Sequence, residues 1–117
     1  SAVSFVGNYC SGNGRHGIII PSGNDVLCQG NFCFNNAQTD VTGCGITVSG
    51  SNQVSLVGNT CARGSYSGLI LGNQKYGIDV QASVTGVLID GNYCIGNVTA
   101  NLNQLSASAT VGTNRTA

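Results

Sequence analysis

Four segments of the chain repeat one pattern of hydrophobic and polar positions. Each begins with Val, continues with side chains of alternating character and ends in Gly-Asn-x-Cys: Val3–Cys10, Val26–Cys33, Val54–Cys61 and Val87–Cys94. A shorter pattern, Gly-Ile-x-Val or Gly-Ile-x-Ile, follows the first three, at Gly17–Ile20, Gly45–Val48 and Gly77–Val80. Alternation over such short runs, bounded by Gly, Asn and Ser, predicts β-strands joined by tight turns.

The spacing of the repeats predicts how these strands stack. Successive initial valines lie 23, 28 and 33 residues apart, and nine of the ten added residues fall between the Cys and the following Gly. One turn therefore lengthens while the rest of the frame stays constant. A unit of this size buries too little apolar surface alone, so like positions must stack across units, with strands about 4.8 Å apart.

We therefore predict an all-β fold, a right-handed single-stranded parallel β-helix of about four coils. The expected coils are 3–25, 26–53, 54–86 and 87–117. After Cys94 no Gly-Ile-x-Val follows, and only Ala109–Val111 resembles a further strand, so we expect the last coil to be incomplete. We expect one β-helix domain, as a fragment or terminal part of a longer chain.

Alternation also predicts the interior of the coils, because neighbouring side chains on a strand point to opposite faces. The inward rows are Val3, Phe5, Val26, Cys28, Val54, Leu56, Val87 and Ile89 in the first strand of each coil, and Ile18, Ile20, Ile46, Val48, Ile78 and Val80 in the later strand. Continuing past each Gly predicts an internal Asn ladder and an internal Cys ladder. The ladders are Asn8, Asn31, Asn59 and Asn92, and Cys10, Cys33, Cys61 and Cys94.

Stacking of this kind predicts free thiols. Cysteines in adjacent coils would have parallel Cα–Cβ vectors roughly 4.8 Å apart, whereas a disulfide needs converging vectors and a Cβ–Cβ distance of about 3.5–4.5 Å. We therefore expect the six cysteines to remain reduced, which is compatible with folding in a reducing cytoplasm. With no Cys-x-x-Cys and a single His, the sequence predicts no metal site.

The composition and motifs of the chain argue against several classes of partner and cofactor. Only 7% of residues are charged, and four Lys or Arg balance four Asp or Glu, so we expect no nucleic-acid partner. No run approaches the roughly 20 apolar residues of a membrane span, so we expect no membrane insertion. The run Gly12–Gly17 matches Gly-x-Gly-x-x-Gly but leads into a predicted strand rather than a helix. We therefore expect neither a dinucleotide nor any other cofactor.

Candidate chemistry gathers around the lengthening turn and the strand that follows it. A lyase or epimerase needs a base and a cation, and a hydrolase needs two carboxylates. The catalytic candidates are His16, Asp40, Lys75 and Asp79. The substrate-binding candidates are Arg15, Tyr66 and Tyr76. The alternative interpretation, ordinary solvated loop residues, stays open here.

The outward rows of the first strands are unusually apolar. One column holds Tyr9, Phe32, Thr60 and Tyr93, with Val6, Gln29, Val57 and Asp90 beside it and Ser4, Leu27, Ser55 and Leu88 beyond. Apolar surface of this kind predicts a partner. Homotrimer packing along parallel axes would cover it, and stacking of sugars on the aromatic rings is the alternative.

The Val-x-x-x-Gly-Asn-x-Cys and Gly-Ile-x-Val frames resemble the pectin-lyase-like superfamily of right-handed β-helices over nearly all 117 residues. The Gly-Asn turns, the run Asn13–Ile18 and the stack of free cysteines are similar to bacteriophage tailspikes and related polysaccharide-active enzymes. The resemblance implies a homotrimer, in a virion tail or secreted, that binds and often cleaves bacterial surface polysaccharide. No catalytic motif of the superfamily matches residue by residue, so a hydrolase or lyase site is expected mostly outside this chain.

Two alternatives to the tailspike interpretation stay open. One is a secreted lyase or C5-epimerase that uses the edge formed by Arg15, His16, Lys75 and Tyr76. The other is a structural shaft or adhesin without catalysis. The sugar and the stereochemistry of any cleavage do not follow from the sequence.

Overall fold

The computed structural model describes residues 2–64 and 71–116, and this part of the chain contains thirteen β-strands and no helix. The strands are β1 (Val3–Val6), β2 (Tyr9–Ser11), β3 (Ile18–Ile20), β4 (Gly23–Gln29), β5 (Phe32–Phe34), β6 (Ile46–Val48), β7 (Ser51–Val57), β8 (Thr60–Ala62), β9 (Tyr76–Val80), β10 (Thr85–Asp90), β11 (Tyr93–Ile95), β12 (Ala100–Gln104) and β13 (Ala109–Val111).

The strands form three parallel sheets, to which each complete coil contributes one strand. The first sheet has the order β1-β4-β7-β10-β13, the second β2-β5-β8-β11 and the third β3-β6-β9-β12. Every pairing between neighbouring strands is parallel. This is a parallel β-helix, which confirms the predicted fold class.

The register follows the sequence repeat. Val26 pairs with Val3 on one side and Val54 on the other, and Ile46 lies between Ile18 and Ile78 in the third sheet. The predicted inward rows form the hydrophobic core, and only the first coil departs from this. There Val3 is 40% exposed, because β1 is an edge strand of its sheet.

The expectation that only Ala109–Val111 would form a strand after Cys94 was wrong. Ala100–Gln104 forms β12 and completes the third sheet, with Leu102 opposite Ile78 and Gln104 opposite Val80. The pattern was missed because Ala-Asn-Leu-Asn-Gln has only one large apolar residue at an inward position. Ala109–Val111 instead pairs with β10 and therefore begins another turn of the helix.

The predicted Asn ladder is present and continues by one member. Side-chain amides donate from coil to coil, from Asn8 to Asn31, Asn59, Asn92 and finally Asn114, over 2.9–3.0 Å. Each acceptor oxygen also receives the backbone N–H of the preceding ladder residue. The ladder thus pairs the polar groups that a buried bend would otherwise leave unsatisfied.

All six cysteines are free thiols, as predicted. Cys33 lies between Cys10 and Cys61 in the second sheet, and Cys94 follows Cys61. Burial raises the pKa of the Cys28 thiol to about 12 and that of Cys61 well above its ordinary value. These side chains therefore pack as small apolar groups rather than as nucleophiles.

Candidate functional site

An open polar groove of about 620 Å³ runs over the outer face of the third sheet. Its floor follows the outward positions of successive strands, where Ile19, Thr47 and Asp79 lie side by side. Ile18 and Ile20 point inward, so strand alternation turns Ile19 and its neighbours in the stack outward. The remaining lining residues are Arg15, His16, Thr42, Ser49, Gln81, Ala82 and Ser83.

Asp79 is on the outward row that the sequence predicted, but other side chains cover it, and it is only 6% exposed. One carboxylate oxygen accepts a hydrogen bond from the Gln81 amide at 2.6 Å, and the other accepts one from the Asn103 amide at 2.8 Å. Two acceptor oxygens facing two N–H donors are what an ionised carboxylate provides. Both donors are neutral, so within the described part of the chain the negative charge of Asp79 has no cation as a hydrogen-bonding partner.

His16 is held by the loop before β6. Its Nδ1 lies 3.0 Å from the backbone nitrogen of Cys44 and 3.2 Å from the hydroxyl of Thr47. A backbone N–H only donates, so Nδ1 is the acceptor and the neutral ring carries its proton on Nε2. Burial, and then the positive charge of Arg15, lower the pKa of His16, although Asp40 and Asp79 partly oppose this. The ring is therefore neutral at physiological pH and offers one N–H donor.

Arg15 and Asp40 form an ion pair at the mouth of the groove. The Nε–Oδ2 distance is 3.3 Å, and the side chains are 60% and 44% exposed. The other oxygen of Asp40 accepts hydrogen bonds from the hydroxyl and the backbone N–H of Thr42. These bonds, with a smaller contribution from Arg15, lower the pKa of Asp40. The positive charge of Arg15 is thus balanced locally by a carboxylate that stays ionised.

Of the other predicted site residues, Lys75 and Tyr76 do not line the groove. The Lys75 ammonium lies 5.1 Å from the centre of the Tyr76 ring, in a cation–π contact. Tyr66 lies outside the described residues. The structure therefore brings His16, Arg15 and Asp79 together, with Asp40 attached through Arg15, and places Lys75 and Tyr76 apart from them as a pair.

No protein-family model, curated protein or solved structure matches the chain. Within residues 2–64 and 71–116, no three His, Cys, Asp or Glu side chains lie close enough to hold a metal ion. None of the elements in this part of the chain is a helix of the length and apolarity needed to cross a membrane. We therefore argue function from the fold and from the side chains of the groove.

A second polar ladder, absent from the sequence prediction, supports the turn that carries the groove residues. Its amides donate from Asn13 to Asn36, Gln74, Asn97 and Asn101, over 2.7–2.9 Å. A recurrent Cys-x-x-Asn was the available signal, at Cys10–Asn13, Cys33–Asn36 and Cys94–Asn97. The third coil hides the pattern because its ladder residue is a Gln that comes after a long insertion.

The neutral groove residues were missed as well. Thr47 and Asn103 occupy outward positions of β6 and β12, and Gln81 follows β9 directly. Strand alternation alone would have found Thr47, since Ile46 and Val48 were already placed inward. Nothing in the sequence indicated that Gln81 and Asn103 would both turn toward the carboxylate of Asp79.

Proposed function

We propose that this β-helix binds bacterial surface polysaccharide in the polar groove, as a segment of a tailspike-like protein of the pectin-lyase-like type. The observation that carries the proposal is the placement of the groove across consecutive coils. Arg15, Thr47 and Gln81 belong to three successive coils and line the same groove. A linear polymer lying along the stack would meet an equivalent position at each coil, about every 4.8 Å.

The lining side chains suit a ligand rich in hydroxyl groups. His16 offers Nε2–H, and the guanidinium of Arg15 has further N–H donors beyond the one that faces Asp40. The hydroxyls of Thr42 and Ser83 already donate to Asp40 and to the backbone oxygen of Ser49, so each offers an acceptor oxygen, and the hydroxyl of Ser49 can both donate and accept. A rigid frame that presents variable loop side chains is a usual setting for a binding site.

We favour binding over turnover at this groove. A lyase or epimerase base must present an unprotonated atom to the substrate, whereas the acceptor nitrogen of His16 is occupied by the Cys44 N–H. Of the carboxylates, Asp40 is engaged with Thr42 and Arg15, and Asp79 with two amides. We place any hydrolase or lyase activity of the parent protein outside this chain or between subunits. The lyase or C5-epimerase alternative has less support.

A homotrimer with parallel axes is part of the proposal. Large apolar side chains are exposed on the outer faces of the first and second sheets: Val6, Tyr9, Phe32, Leu88 and Tyr93. Contiguous apolar surface on a folded protein usually marks a contact. Such an assembly fits a virion tail or a secreted protein, and a structural shaft or adhesin would use the same surface without the groove.

The first experiment measures polysaccharide binding. Wild-type protein is titrated with a panel of bacterial surface polysaccharides, and Arg15→Gln is compared with Lys75→Gln, which also removes one positive charge. We expect about a tenfold loss of affinity for Arg15→Gln, from loss of a charged donor, and no change for Lys75→Gln. Loss of binding in Lys75→Gln alone would move the site to the Lys75–Tyr76 pair.

The second experiment measures native mass by light scattering, with polymer length followed in the same samples. A trimer that binds a polysaccharide without shortening it supports the proposal. A monomer that depolymerises it, with activity lost in His16→Ala, would overturn the proposal in favour of the lyase or epimerase. Absence of binding to every polysaccharide would leave the shaft or adhesin.

A further inference from the structure

Resting on the proposed function, we infer that the groove selects uncharged polysaccharide over uronate-containing polymer, and that Asp79 determines this specificity. The arrangement behind the inference is a covered carboxylate on the groove floor whose two hydrogen-bond donors are both neutral amides. Nothing in the proposed function itself requires the ligand to be neutral.

The negative charge of Asp79 is not balanced by an ion pair with any described residue. Among the residues that the structure describes, Arg15–Asp40 is the one ion pair, and it involves neither oxygen of Asp79. Arg15 is the cation that lines the groove, and its charge is already balanced by Asp40. A ligand carboxylate would therefore approach a negative site in a groove whose lining cation is already paired. Like charges repel more strongly where water is partly excluded.

A neutral sugar hydroxyl interacts favourably with Asp79, whereas a ligand carboxylate is repelled. A sugar hydroxyl donates to an ionised carboxylate in a charge-assisted hydrogen bond, and its oxygen accepts from a donor such as the Nε2–H of His16. A uronate carboxylate only accepts and therefore cannot donate to Asp79. Asp79 therefore favours a neutral hydroxyl and repels an anion at the same position on the groove floor. Repulsion of the wrong ligand is one of the ways in which a binding site becomes specific.

The decisive ligand pair is a uronate-containing bacterial polysaccharide and its carboxyl-reduced form, which share linkage and length and differ in charge. Wild-type protein is expected to bind the reduced polymer at least tenfold more tightly. Asp79→Asn, which keeps the side-chain size and removes the charge, is expected to cut this ratio to about twofold. Circular dichroism and thermal unfolding of Asp79→Asn establish that the stack is intact.

Asp25→Asn is the matched control. Asp25 lies near the start of β4 in the first sheet, lines a different concavity and has φ 54°, a conformation that Asn tolerates well. The control removes the same charge from the protein but is expected to leave the binding ratio unchanged. An equal change in both variants would mean that overall charge, not Asp79, sets the preference, and would overturn the inference.

The remaining outcomes separate the inference from the proposed function. Tighter binding of the acidic polymers by wild-type protein would overturn the inference and leave polysaccharide binding standing. No binding of either form, across the whole panel, would overturn the proposed function and the inference with it. If Asp79→Asn does not fold, the comparison of the two ligand forms on wild-type protein still decides whether the groove prefers the uncharged polymer.

Discussion

The two bends on either side of the second sheet are built in opposite ways. The first bend is always Gly-Asn, and its glycines, Gly7, Gly30, Gly58 and Gly91, have φ between 63° and 67°. The second bend varies in length, spanning residues 12–17, 35–45, 63–75 and 96–99. Both nevertheless carry an amide ladder on the inside. A buried bend must pair its backbone groups whatever its length, so the constraint falls on the interior position and leaves the exterior free.

The groove lies where the exterior of the second bend is free to vary. Arg15, His16 and Thr42 come from the second bend, where residues are added without disturbing the frame. The first bend has no room for additions, because Gly30 and Asn31 already form the whole connection between β4 and β5. Loops that vary on a constant scaffold are where recognition usually develops. The constant bend therefore stabilises the stack, and the variable bend supplies the candidate chemistry.

Asn59→Ala tests the constant bend and should have the largest effect. Asn59 is fully buried, donates to Cys28 O and Asn92 Oδ1, and accepts from the backbone and side chain of Asn31. Its removal leaves several buried groups unpaired, so we expect the free energy of unfolding to fall by about 3–5 kcal/mol. Chemical denaturation followed by circular dichroism measures the loss.

The control for this change is Asn8→Ala. Asn8 is the first member of the same ladder, is exposed and sits beside an edge strand. We expect a loss below about 1 kcal/mol, since water replaces the missing bonds. Equal losses at Asn8 and Asn59 would mean that the ladder contributes through each bend separately and not through burial.

The amide ladders of the first and second bends also show what the sequence can and cannot predict. The Asn8–Asn92 ladder was predictable because its spacing from the apolar alternation is the same in every coil. Asn114 lies in a segment where Ala109, Thr113 and Thr116 replace the Val, Gly and Cys of the template. Gln74 was not predictable, because a longer side chain reaches the ladder from a different point in an inserted loop. Arg15, His16 and Asp79 were found from residue type and outward position. Their partners Thr42, Cys44 and Asn103 depend on three-dimensional contacts that no spacing encodes.

Gln74→Asn tests the variable bend. Gln74 accepts from Asn36 Nδ2 at 2.9 Å and donates to Asn97 Oδ1 at 2.7 Å, so it bridges two coils. Asn keeps the amide but is one methylene shorter, and we expect it to break one of these bonds and lower the free energy of unfolding by about 2 kcal/mol. The matched control is Asn73→Ala at an exposed neighbour, for which we expect less than about 0.5 kcal/mol. A neutral Gln74→Asn would show that the variable bend tolerates change inside as well as outside.

The smallest expected effect is a pH dependence of the free energy of unfolding that comes from His16, the residue of the second bend that lines the groove. The pKa of His16 is lowered in the folded protein, first by burial and then by Arg15, from an ordinary value of 6.5. The unfolded chain therefore binds a proton more readily than the folded one. Stability is complete above about pH 6.5 and declines as the pH falls below it toward the folded pKa.

The chain has one histidine and no glutamate, which isolates this window. The pKa of Asp40 is lowered by its bonds to Thr42, so its contribution is lost only below its ordinary value of 3.8. Unfolding free energies at about pH 7.5 and about pH 5.5 should therefore differ in wild-type protein and agree in His16→Gln, which does not titrate. A pH difference that persists in His16→Gln would show that a group other than His16 titrates in this window. The absence of a difference in wild-type protein would show that the fold does not hold the ring of His16 neutral, as an acceptor for the Cys44 N–H. The argument that this groove binds rather than turns over its ligand would then lose its main support.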